Sequence, residues 1–196
     1  MITLEPNRSA LLVMDFQSDI VSRIPDKVGP VMERAADVVA AARKARVAIV
    51  YVVVGFRPGY PEISARNASF STLSQSGRFV VTTPGSDIAP ALRPEEGDVV
   101  VVKHRVGAFS GTDLEMILRA KGIDTLVLLG ISTSGVILST VRHGADADYK
   151  LVVVSDCCAD MDDEVHRVLT EKVFVRQATV VSASELTAAL RKDGGR

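Results

Sequence analysis

Leu128-Leu129-Gly130-Ile131-Ser132-Thr133-Ser134-Gly135-Val136 is the stretch on which the fold turns. It closes an apolar run from Thr125 to Leu129, then breaks into glycine and hydroxyl residues before a helical pattern that reaches Ala147. A short Val- and Leu-rich run of this kind reads as a strand buried on both faces. Gly130 and the hydroxyl cluster mark a turn, and Ser134 is the residue type of a helix N-cap. The stretch predicts a strand feeding straight into a helix start, the junction at which open α/β sheets hold their ligands.

The same alternation extends in both directions. Five further strand-length runs are Ala10 to Met14, Ala48 to Val54, Asp98 to Val102, Leu151 to Val154 and Thr179 to Val181. Between the first two, Val28, Val31, Met32, Ala35, Val39 and Ala42 recur at helical spacing, with Pro30 suited to a first turn. Helices are also predicted over Thr112 to Lys121, Ser134 to Ala147, Asp162 to Val173 and Ala183 to Lys192. Strands alternating with helices predict a three-layer α/β/α architecture: a Rossmann-like open parallel six-stranded sheet with helices on both faces. Residues 55–97 break the rhythm, holding Pro58, Pro61, Pro84, Pro90 and Pro94 among many Ser and Gly residues. So long a connection reads either as a surface excursion or as a lid or oligomer contact shaping a pocket. At 196 residues, the chain is expected to form one domain over 1–196.

Composition narrows the function classes. Apolar residues are 47% and charged residues 24% of the chain, which suits a packed globular core. The net charge of −1 is spread without a basic stripe, so no nucleic-acid partner is expected. No apolar run approaches the roughly 20 residues that span a bilayer, and no basic and apolar leader opens the chain, so no membrane segment is expected. Cys157 and Cys158 are adjacent, a poor geometry for a structural disulfide, which reads as reduced, cytoplasmic usage.

Polar residues that end apolar strands have the best claim to function. Asp15 follows four apolar residues, as Lys103 follows four valine-type positions, and Phe16 and Gln17 come next to Asp15. Asp15 reads either as a desolvated carboxylate poised for proton transfer or as an ordinary turn residue; Lys103 reads either as its charge partner or as a lysine snorkelling to solvent. The three histidines, His104, His143 and His166, lack ligand-like spacing, so no metal and no cofactor are expected.

Three ordered motifs, Asp15-Phe16-Gln17, Lys103-His104-Arg105 followed by Gly107-Ala108-Phe109 and Thr112-Asp113-Leu114, and Gly130-Ile131-Ser132-Thr133, resemble those of the isochorismatase-like, or cysteine hydrolase, superfamily. The likeness continues through Thr140-Val141-Arg142 and Tyr149 to Val154-Ser155-Asp156 and covers essentially the whole chain. In the amidase members, the resemblance implies, residues matching Asp15 and Lys103 flank a cysteine nucleophile at the helix start. A non-proline cis peptide matching Ile131 to Ser132 adjoins the amides that hold the oxyanion. Counted without gaps from Gly130, the cysteine position is filled by Val136, which has no ionisable atom and cannot form an acyl intermediate. Metal-using nicotinamidases carry histidines after strand two, and residues 55–97 contain none. Isochorismatases, with glycine at the cysteine position, hydrolyse a vinyl ether by acid catalysis without a covalent intermediate.

The resemblance therefore implies a hydrolase of a small metabolite that uses Asp15 and Lys103 for acid–base chemistry, with Phe16 and Phe109 walling the pocket. Gln17, Arg105, Ser132 and Ser134 are candidates for substrate contacts. The alternatives are a catalytically silent small-molecule binder, or an amidase with a displaced nucleophile such as Ser132, Ser134, Ser139, Cys157 or Cys158. A homodimer or higher homo-oligomer is also implied.

Overall fold

The computed structural model describes residues 2–193; residue 1 and residues 194–196 of the expected domain lie outside the described residues. Six strands form one parallel sheet: β1 Ser9–Met14, β2 Ala48–Val54, β3 Val99–Lys103, β4 Thr125–Ile131, β5 Lys150–Ala159 and β6 Thr179–Val181, in the order β3-β2-β1-β4-β5-β6. Helices α1 Ser18–Val21, α2 Pro25–Lys44, α3 Leu114–Ala120, α4 Leu138–Asp146, α5 Asp163–Val168 and α6 Ala183–Asp193 accompany them. Parallel neighbours need crossovers, and packing helices on both faces buries every residue of β1 and β4.

Alternation along β1 splits the core in two. Leu11 and Val13 face Val31, Ala35 and Val38 of α2 and Leu186 and Leu190 of α6. Ala10, Leu12 and Met14 face Leu114 and Leu118 of α3 and Val141 of α4. Each buried Val or Leu contributes about 1.5–3 kcal/mol relative to an exposed one, so these two layers dominate the stability of the sheet. The predicted three-layer architecture is the observed one.

Boundaries differ where polar residues interrupt apolar ones. Helix α2 begins at Pro25, so Pro30 sits inside it instead of in its first turn. Its ring is exposed, so the hydrogen bond lost at Asp26 is left to water. Strand β5 runs five residues past Val154, because Ser155 Oγ donates to Val181 O at 3.2 Å and Asp156 Oδ1 accepts the Ala183 N–H at 2.7 Å. The extension lets Cys158 and Ala159 pair with Gly130 and Ile131 after a bulge, carrying β4 and β5 to one level. Among the described residues no helix is long and apolar enough to cross a membrane.

The connection from β2 to β3 carries only 3-10 turns at Leu73–Gln75, Pro84–Ser86 and Pro90–Leu92. It is nonetheless packed: Phe56, Tyr60 and Phe79 form a separate apolar cluster with Val54. Asp19 fastens it to α1 by accepting the Phe79 N–H at 3.1 Å and pairing with Arg78.

Candidate active site

Asp15 is the first residue beyond β1, held by its N–H donating to Val52 O at 2.8 Å. Its φ of 60° lies in the left-handed region, which Asp tolerates better than most residues. That twist turns the carboxyl toward the last residue of β3. Lys103 Nζ lies 2.9 Å from Asp15 Oδ2, with side-chain exposures of only 3% and 7%. The ammonium also donates to Arg105 O at 3.1 Å. Asp15 Oδ1 is buried without a hydrogen-bond partner among the described residues. Burial pushes the Asp15 carboxyl above the ordinary carboxylate range, and the adjacent Lys103 charge and hydrogen bond offset only part of that rise.

Beside this pair, β4 ends at the quoted stretch. A Cβ on Gly130 would stand 2.4 Å from Met14 O, so only glycine permits β4 to run this close to β1. The Ile131–Ser132 peptide is cis, as the resemblance implied. Thr133–Ile137 then makes a wide π turn that passes into α4. Asp160, at the end of β5, accepts the Ser134 N–H at 2.7 Å. The helix start is thus capped by a carboxylate from a neighbouring strand, and Ser134 is not the N-cap. Thr133 Oγ1 shares a 2.8 Å hydrogen bond with His166 Nδ1 of α5, which braces the turn from behind. Burial lowers the His166 pKa, against the opposing pull of the nearby Asp160 and Asp163 carboxylates.

A cavity of about 350 Å³ opens over these strand ends. Its floor is Asp15, Val54, Lys103, Ile131 and Asp160, contributed by the carboxyl ends of β1 to β5, and Ser132, Ser134, Gly135 and Val136 form one side. Its position matches the crevice where the strand order reverses between β1 and β4. Ile20, Arg23 and Ile24 line it from the α1–α2 turn, and Ser69, Phe70, Leu73 and Phe79 close over it from the long connection. Val136 is 1% exposed, packing into the core of α3 and α4 as well as lining the cavity.

An isochorismatase domain model matches residues 9–185. The chain belongs to the isochorismatase family. It is 32% identical to the uncharacterized isochorismatase family protein YecD of Escherichia coli O157:H7, over 97% of this chain and 100% of that one. It is 31% identical to the ureidoacrylate amidohydrolase RutB of Methylorubrum extorquens, over 79% of this chain and 71% of that one. An isochorismatase family protein from Burkholderia thailandensis superposes with a TM-score of 0.83 at 31% identity, covering 96% of this chain and 98% of that one.

Within this isochorismatase-family domain, the structure brings Asp15, Lys103, Ser132, Ser134 and Val136 to one cavity and places four other candidates elsewhere. Phe16 does not wall the cavity; it is buried with Val13 and Ile24 in the core beneath α2. Gln17 is also fully buried, and its amide makes three structural hydrogen bonds of 2.8 Å, to Val54 N and O and to Ser86 O. Those bonds tie the long connection to β2 and leave no side-chain group free for a ligand. Phe109 stacks on His143 at 4.3 Å between ring centres and lines a separate groove with Arg105. Arg105 itself is exposed and donates to Glu62 O and His104 O. Reasoning from sequence passed over Asp160, Arg23 and the aromatic roof of Phe70 and Phe79. Asp160 ends a strand, the signal that singled out Asp15, but β5 was read as ending before it.

Proposed function

We propose that the protein hydrolyses a small metabolite by acid–base chemistry, with Asp15 as proton donor and acceptor, Lys103 as its charge partner, and water as the nucleophile. Val136, in this reading, fills the place of the cysteine nucleophile of the family's amidases. The observation that carries the proposal is the buried Asp15 carboxyl, raised in pKa, paired to Lys103 and lining the cavity with one oxygen unsatisfied. A carboxyl of raised pKa is a better general acid at neutral pH than an ordinary one.

Enol-ether hydrolysis suits this equipment. Asp15 gives its proton to the enol-ether carbon, the electron pair of the C=C bond forms the new C–H bond, and the adjoining C–O carbon becomes an oxocarbenium ion. Water adds to that ion and returns a proton to Asp15; the hemiketal then collapses to a carbonyl compound and an alcohol. No acyl-enzyme is needed. In isochorismatases glycine leaves open the space that the Val136 methyl groups occupy, so the substrate here is one with less bulk at that wall.

The other nucleophile candidates lack activation. Burial pushes the Cys158 thiol up to about 12 and the Cys157 thiol higher still, and neither lines the cavity. Ser132 and Ser134 line it, but among the described residues neither hydroxyl is hydrogen-bonded to Asp15 or to a histidine. A panel of small enol ethers, esters and amides followed by intact-protein mass spectrometry tests the proposal. Turnover of enol ethers with an unchanged protein mass is the expected outcome. Amide turnover accompanied by an acylated protein would overturn it.

A further inference from the structure

We infer that Arg23 is a substrate-binding residue that holds a carboxylate at the mouth of the cavity, so that the substrate is a small carboxylic acid with a hydrocarbon body; this rests on the acid–base site proposed above. Arg23 lies in the turn between α1 and α2, fixed by its N–H donating to Ile20 O at 3.0 Å. Its side chain lines the cavity. Among the described residues the guanidinium donates only from Nη2 to Met161 Sδ at 3.5 Å, and a thioether sulfur is a weak acceptor that leaves most of its five donors open.

The surrounding charges are already committed. Lys103 is paired with Asp15, Lys27 with Asp163 at 2.6 Å, and Arg78 with Asp19. Of the cavity's two carboxylates, Asp15 has Lys103, and Asp160 accepts the Ser134 N–H at the helix start, where backbone dipoles favour a negative charge. Neither comes within 4.0 Å of Arg23 among the described residues. Arg23 is thus the uncompensated cation of the cavity, whose lining also includes the apolar side chains of Ile20, Ile24, Phe70 and Phe79. A guanidinium fork matches a carboxylate in two parallel hydrogen bonds, and the apolar wall accepts carbon but no second charge. A ligand that meets both conditions reaches Asp15 with its uncharged end.

Benzoate and benzamide, alike in shape and different in charge, serve as probes by ligand-observed NMR titration on the whole protein. Benzoate is expected to bind about tenfold tighter than benzamide, as a charge-assisted hydrogen bond of the usual strength gives. Arg23→Gln should bring the ratio near one, and Arg23→Lys should keep part of the preference, because it retains the charge without the fork. Equal binding by the unmodified protein, or an undiminished ratio in Arg23→Gln, would overturn the inference. Asp15→Asn separates the two readings: persistent turnover in that variant, with the benzoate preference still dependent on Arg23, defeats the acid–base site and leaves the carboxylate site standing. Loss of turnover together with equal binding of the two probes does the reverse.

Discussion

Asp15→Asn is expected to lower turnover by about 10²–10⁴-fold, the range that a positioned proton-transfer group contributes. The amide matches the carboxylate in shape, so the cavity keeps its outline, but it has no proton of suitable acidity to give. Only the chemical step should suffer. Ligand affinity, measured with the same substrate under non-turnover conditions, is expected to change far less. Near-UV circular dichroism establishes that the variant is folded, and full turnover in a folded Asp15→Asn protein would contradict the assignment.

The second large effect concerns stability. Lys103→Met leaves the Asp15 carboxyl buried without its counter-charge, and breaking a buried ion pair from one side costs about 3–5 kcal/mol. The sign with pH follows from burial, which alone then sets the shift and holds the folded pKa above the unfolded value. The stability that remains is fully present below the unfolded pKa, where Asp15 is neutral in both states, and is lost as pH rises through the folded pKa. Chemical denaturation of Lys103→Met should therefore show its deficit at neutral pH and much less in acid. The double variant Asp15→Leu/Lys103→Met removes both charges and is expected to recover most of the loss, because apolar replacement of a buried pair is often neutral or stabilising. It should also be inactive. A double variant no more stable than the single one would show that the pair is held by something other than mutual compensation.

The sheet was legible because its inner strands are buried on both faces and so are written as nearly continuous apolar runs, as in Ala48–Val54. The end of β5 was not, since Ser155 and Asp156 look like a turn until their partners on β6 and α6 are known. The site divided along a similar line. Asp15 and Lys103 stood out as charges that end apolar strands, but a turn aspartate and a snorkelling lysine look the same, and only the motifs around them singled the two out. Phe16 and Gln17 gained candidacy by adjacency to Asp15, but its left-handed φ of 60° reverses the alternation of β1 and sends Phe16 into the opposite core layer from Met14. No local pattern announces that reversal. The roof was illegible for another reason: Phe70 and Phe79 reach the cavity through a connection with no regular period, whose path depends on contacts such as Asp19 with Phe79 and Gln17 with Ser86.

The acid–base site stands or falls on the ionisation of one carboxyl. A carbon-13 NMR titration of the aspartate carboxyl groups, with the Asp15 signal assigned by its absence from Asp15→Asn, measures that ionisation without any substrate. Asp15 is expected to titrate above 3.8, the ordinary aspartate value, because burial outweighs the Lys103 charge. A signal that titrates at or below that value would mean that Lys103 prevails, leaving a fixed anion at the cavity floor in place of a proton donor.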